Sequence, residues 1–202
     1  MGLSSRRIGI FGGAFDPPHL AHVALAQAAV TQLGLHELRV FPTGQAWHKA
    51  RALTDGAHRL AMAQLAFGTV ARAVVDDREL RRSGPTYTID TLRELHAASP
   101  DDTLMLVVGA DQAESLHSWR ACDQILQLAT VAVAARARPD PHAPPFDASR
   151  LPAGHWTAVE LPNMPVSATQ IRALVAAGQG IGHLVPPGVA RYIAQHHLYA
   201  PT

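Results

Sequence analysis

The stretch "TLMLVVGAD", residues 103–111, carries five consecutive apolar side chains from Leu104 to Val108 and then stops at a glycine. A membrane helix needs about 20 apolar residues, so this run is far too short to span a bilayer. A strand with one wet face would alternate apolar and polar residues, whereas a parallel strand covered on both faces reads as an unbroken apolar run. Parallel neighbours must be joined by crossovers, usually helices. The rest of the chain has that rhythm. Strand patterns at Ile8–Phe11, Glu37–Phe41, Ala73–Val75, Val131–Ala135 and Thr157–Leu161 alternate with helical spacing. The helical segments are Leu20–Leu33, a helix capped by Thr54 and running to Phe67, Thr88–Ala98, Leu116–Leu128, Ala168–Ala177 and Gly188–His197. The expected fold class is α/β, a doubly wound parallel sheet with right-handed crossovers and a small C-terminal helical part. In such sheets ligands sit beyond the carboxyl ends of the strands. Gly12-Gly13 ends the first strand and Gly109-Ala110-Asp111 the apolar one, so both are expected to line one cleft.

At 202 residues the chain is expected to form one domain over 1–202, with about 165–202 as the helical addition. Hydrophobic residues make up 48% and charged residues 16%, and the formal net charge is +1. That balance gives no global attraction to nucleic acid or an anionic membrane, so neither is an expected partner and any anion site must be local. The one cysteine, Cys122, forms no internal disulfide; a reducing, cytoplasmic setting fits, with the thiol buried on a helix. Ser5-Arg6-Arg7 leads into a glycine-broken stretch and reads as a strand leader, not as an export signal. The segment 136–150, with four prolines between Pro139 and Pro145, reads as a surface excursion.

The richest local chemistry lies in "IGIFGGAFDPPHLAH", residues 8–22. Gly12 and Gly13 let backbone N–H groups approach a ligand, and the helix that follows offers unpaired N–H groups and the positive end of its dipole to an anion. His19 and His22, three residues apart, share a face of the first turn. Three readings of the pair stand side by side. A zinc pair lacks a third ligand nearby; two structural histidines could cap the turn; two imidazole donors aimed at phosphates account for the glycines, the helix start and the spacing together.

"GGAFDPPHLAH" resembles the Gly-Gly-x-Phe-Asp-Pro-x-His-x-Gly-His signature of the nucleotidyltransferase superfamily, and "NMPVSATQIR" resembles its second signature, Ile-Ser-Ser-Thr-x-Ile-Arg. Ala14, Ala21 and Ala168 depart from those patterns without removing a catalytic group. "GPTYTIDTLREL", "VVGADQAESLHSW" and "VARYIAQHHLY" are similar to segments of the bacterial nicotinate-mononucleotide adenylyltransferases, so the resemblance covers nearly the whole chain. It implies a Rossmann-like nucleotidyltransferase fold and adenylyl transfer from ATP to nicotinate mononucleotide, giving deamido-NAD and pyrophosphate in NAD biosynthesis. His19, His22, Lys49 and Arg172 are then the catalytic groups. ATP would meet Gly12, Gly13, Phe15, His19, His22, Gly109, Asp111, Ser167, Thr169 and Arg172. The mononucleotide would meet Ala14, Asp16, His48, Lys49, Thr86, Tyr87, Thr88 and Trp119, with its ring on Trp119 and its carboxylate on donors of the 85–88 turn. Mg²⁺ would arrive with ATP, without a protein metal cage. Helix capping remains an alternative for Ser167, a surface ion pair for Arg172, a core position for Trp119, and a helix start for Tyr87 and Thr88. The alternative functions are nicotinamide-mononucleotide or pantetheine-phosphate adenylyltransferase, or a non-catalytic nucleotide-binding regulator. The protein would be a monomer or a small homo-oligomer.

Overall fold

The computed structural model describes residues 5–45, 53–136 and 151–201. Six strands form one all-parallel sheet: β1 Arg7–Gly13, β2 Glu37–Pro42, β3 Ala73–Val75, β4 Thr103–Val108, β5 Ala129–Arg136 and β6 Trp156–Leu161. Their order is β3-β2-β1-β4-β5-β6, so the chain winds outward from β1 in one direction and then from β4 in the other. The apolar run at 104–108 is central, between β1 and β5. The crevice expected at the reversal therefore opens at the carboxyl ends of β1 and β4.

Strand period two splits the core into two layers. Ile8, Ile10, Leu104, Leu106, Val108, Val131 and Val133 face one cluster. Phe11, Met105, Val107 and Ala132 face the other, which also takes in Ile171, Val189 and Ile193 from the C-terminal helices. Gly9 shares the second face, where a Cβ would lie 2.5 Å from Leu35 Cδ1 and 2.7 Å from Leu38 Cδ1. Only a missing side chain lets β1 pack that closely.

The helices are α1 Leu20–Gln32, α2 Gly56–Phe67, α3 Arg78–Arg81, α4 Thr88–Ala98, α5 Ala110–Glu114, α6 Cys122–Leu128, α7 Ala168–Ala176 and α8 Pro187–Gln195. Four sequence expectations change. The cap of α2 is Asp55, whose side chain accepts the Ala57 N–H, and not Thr54. The helix expected over 116–128 is broken: Leu116–Ser118 is a 3₁₀ turn, and α6 begins only after Ala121, which is left-handed at φ 55°. The short helix α3, four residues long, had no pattern of its own in the sequence. Cys122, expected to be buried, opens α6 and is partly exposed; the burial it has pushes its thiol pKa up. The expected 136–150 excursion lies, apart from Arg136, outside the described residues.

Candidate active site

The end of β1 runs straight into the Gly-Gly turn, and three devices hold that turn. The Phe15 ring packs edge-on against Phe11 and Phe67 at 5.5 and 5.1 Å between centroids. It also sits so close to Gly13 that a Cβ there would meet Phe15 Cε1 at 2.8 Å. Arg59, only 3% exposed, reaches from α2 and donates to the carbonyls of Ala14 at 3.0 Å, Thr43 at 2.7 Å and Thr54 at 2.8 Å. The Asp16 carboxylate, 2% exposed, accepts the Tyr199 O–H at 2.7 Å and the Thr54 N–H at 3.3 Å. Asp16 is therefore anchored to the C-terminal segment.

His19 caps α1 and its ring stacks on that of His22, with centroids 3.7 Å apart. The His19 backbone N–H donates to His22 Nδ1 at 3.2 Å. A neutral His22 therefore carries its proton on Nε2. Burial drives the His19 pKa down to about 4, so this imidazole is neutral at pH 7. Its Nδ1 is buried with no hydrogen-bond partner among the described residues, which is costly unless a ligand supplies one. The helix start is more closed than the sequence suggested, because the Leu20 N–H donates to Leu184 O at 2.9 Å and the His22 N–H to His19 O at 2.9 Å.

These residues line a cavity of about 890 Å³. All ten of the expected ATP contacts are on its wall: Gly12, Gly13, Phe15, His19, His22, Gly109, Asp111, Ser167, Thr169 and Arg172. Ser167 caps α7 by accepting the Gln170 N–H at 3.2 Å. Among the described residues Arg172 is in no ion pair; it donates to Asp16 O at 2.7 Å and Thr169 Oγ1 at 3.0 Å, which ties the two signature segments together.

A second cavity of about 310 Å³ shares the Gly12–Ala14 turn and Gln112 with the first. Thr86, Tyr87, Thr88 and Trp119 line it, as the expected mononucleotide contacts. Ala14 belongs to both cavities, whereas Asp16, expected with the mononucleotide group, lies on the first only. The 85–88 turn differs from expectation in one respect: the Thr86 N–H donates to Gln45 O at 3.1 Å and is no longer a donor for a ligand carboxylate. His48 and Lys49 fall outside the described residues. Sequence reasoning missed Glu79 and Arg120 on the second wall and Arg59 behind it. Glu79 is 6% exposed, takes the Thr91 O–H at 2.8 Å, and is pushed up by burial to about 7.

The family model for cytidylyltransferase-like proteins matches residues 10–174. A curated relative from Albidiferax ferrireducens, "Probable nicotinate-nucleotide adenylyltransferase", is 52% identical over 194 residues, covering 96% of this chain and 98% of its own. The chain belongs to the nicotinate-nucleotide adenylyltransferase family. A relative of the same description from Pseudomonas aeruginosa is 38% identical over 208 residues, covering 96% of this chain and 97% of its own. Among solved structures, the Plasmodium falciparum nicotinic acid mononucleotide adenylyltransferase complexed with NaAD superposes with a TM-score of 0.80 at 22% identity, covering 96% of this chain and 97% of that one. That likeness is one of fold, a six-stranded parallel sheet flanked by helices.

No group of three or more His, Cys, Asp or Glu side chains suited to a metal ion occurs among the described residues. A divalent metal carried on nucleotide phosphates and waters would need no such group. No helix among the described residues is long and apolar enough to cross a membrane.

Proposed function

We propose that the chain transfers the adenylyl group of ATP to nicotinate mononucleotide, with ATP in the larger cavity and the mononucleotide in the smaller. The observation that carries this reading is that the two cavities meet at one glycine turn, Gly12–Ala14, directly ahead of the stacked histidines. A reaction joining two phosphates needs two sites with a common wall. The mononucleotide phosphate oxygen attacks the α-phosphorus of ATP, the bond to the β-phosphate oxygen breaks, and pyrophosphate leaves. The nucleophile is already an anion, so the protein's task is to align the phosphates and to offset developing charge.

In this reading His22 donates from Nε2, His19 gains a partner for its buried Nδ1, and Arg172 adds a fixed positive charge from α7. His48 and Lys49, outside the described residues, are the other groups proposed to meet phosphate. Mg²⁺, carried by the ATP phosphates, would neutralise charge on them. The chain would act as one nucleotidyltransferase domain with 165–202 as its helical part, as a cytoplasmic monomer or small homo-oligomer, without nucleic acid or membrane partners.

The test is pyrophosphate release from ATP and Mg²⁺ with either nicotinate or nicotinamide mononucleotide. A strong preference for the nicotinate form is expected. Release with neither rejects this substrate class, and equal release with both rejects an acid-reading pocket.

A further inference from the structure

The second cavity is aromatic at Tyr87 and Trp119, aliphatic at Ile10, Leu106 and Ile125, and among the described residues it has one cation on its wall, Arg120. That guanidinium lies over the Tyr87 ring, with Cζ 4.6 Å from the centroid. Arginines nearby are engaged with carboxylates: Arg78 with Asp76 at 2.8 Å, and Arg82 with Glu94 at 2.6 Å. Among the described residues Arg120 has no carboxylate partner and lies over the face of Tyr87 instead, which leaves its N–H fork for a ligand of the cavity. The local backbone fixes its position. Trp119 and Arg120 are caught between the 3₁₀ turn at 116–118 and the left-handed Ala121 that starts α6.

We propose that Arg120 is the specificity-determining residue of the second cavity, pairing through its guanidinium with a carboxylate carried on the ligand's aromatic ring. This rests on the reading that the cavity takes a pyridine mononucleotide. Three observations support a charged reader. The Thr86 N–H is already given to Gln45 O, so the 85–88 turn has lost a donor suited to a carboxylate. Thr86 Oγ1, on the same wall, is buried without a partner among the described residues, a polar atom waiting for a ligand group. Glu79, the acid on that wall, has its pKa raised by burial to about 7, so in mildly acidic solution it is largely protonated and does not cancel the Arg120 charge. Glu79 in turn faces Arg82, Asp76 and Glu94, and hydrogen-bonds Thr91.

A guanidinium's planar fork matches a carboxylate's two oxygens, and the charge-assisted pair is about twice as strong as a neutral hydrogen bond. An amide in the same place presents its NH₂ to N–H donors. One of its two polar ends is then unmatched, which is how polar sites reject close analogues.

The test compares Arg120→Met and Arg120→Lys with the wild type, reading kcat/KM and equilibrium binding, by tryptophan fluorescence, for nicotinate and nicotinamide mononucleotide. For Arg120→Met, kcat/KM for the acid should fall about 10- to 100-fold, the loss of one hydrogen-bonded charge partner. The value for the amide should change less than about threefold, with the KM for ATP unmoved, and Arg120→Lys should keep part of the preference. Equal losses for both substrates would mean that Arg120 only props up Tyr87, and overturn the proposal. Retention of the acid preference in Arg120→Met overturns it equally, while leaving the adenylyl-transfer reading intact. A wild type that neither binds nor turns over either mononucleotide overturns both.

Discussion

The His19–His22 pair is partly set before any ligand arrives, in the charge state of one ring and the tautomer of the other. Burial holds His19 neutral at pH 7, and the backbone hydrogen bond to Nδ1 fixes the proton of a neutral His22 on Nε2. Glu79 is the opposite case, a carboxyl kept protonated, because desolvation outweighs the hydrogen bond from Thr91 and the charge of Arg82. A carboxyl whose pKa rises on folding stabilises the fold fully below its unfolded value, and that stability is lost as pH climbs through the folded value. For Glu79 the window runs from 4.5 to about 7. At about 1.4 kcal/mol per unit, the difference is on the order of 3–4 kcal/mol. Glu79→Gln keeps the acceptor for Thr91 and removes the titration. Urea melts should therefore show the variant close to wild type at pH 5 and more stable by roughly that amount at pH 8. Parallel stability curves across that range would show that Glu79 ionises without penalty.

Between Gly109 and Leu128 the chain does what its hydrophobic spacing hides. Helical periodicity over 116–128 is real, yet the backbone makes a short helix, a 3₁₀ turn and a second helix, with Ala121 left-handed between them. Nothing in the residue types marks that break, since alanine is the strongest helix former, and it is tertiary packing of Leu116, Ile125 and Leu126 that holds it. The strands were legible because each lies in the sheet's interior or pairs along an apolar pattern. Of the ten ATP contacts expected on the larger cavity, eight were legible because two local signatures carry them, and Gly109 and Asp111 because they end the apolar strand. Arg59 and Arg120 were not, because an arginine in a helical or loop pattern looks like any solvated charge until the carbonyls or ring it meets are known. The left-handed conformation costs a non-glycine residue about 1 kcal/mol. Ala121→Gly should therefore stabilise the protein by about 0.5–1 kcal/mol, seen as a higher Tm in thermal denaturation. An unchanged or lower Tm would mean that Ala121 sits there without strain.

Over the whole molecule, the segment that closes the chain is built into the turn that opens it. Tyr199 reaches back across 183 residues to Asp16, and Arg172 reaches the same residue's carbonyl across 156. The tie continues through α8, where Tyr192 and His58 of α2 hydrogen-bond at 3.0 Å, and α2 supplies the Arg59 that holds Ala14 and Thr43. The glycine turn shared by both cavities is therefore fixed from behind by α8 and the segment after it, whose contribution to any activity is positional. Burial and the neighbouring Asp16 charge both keep the Tyr199 hydroxyl protonated, so it remains a donor. Tyr199→Phe retains the ring and deletes one hydrogen bond to a buried carboxylate. Such a bond contributes about 1.5–3 kcal/mol, and the urea midpoint should fall accordingly with little change in slope. Because Asp16 O also carries Arg172, a loosened turn should raise the KM for ATP more than that for the mononucleotide. If stability falls while both KM values stay put, the C-terminal tie holds the fold together without positioning the larger cavity. If neither changes, Asp16 is held by its other partners alone.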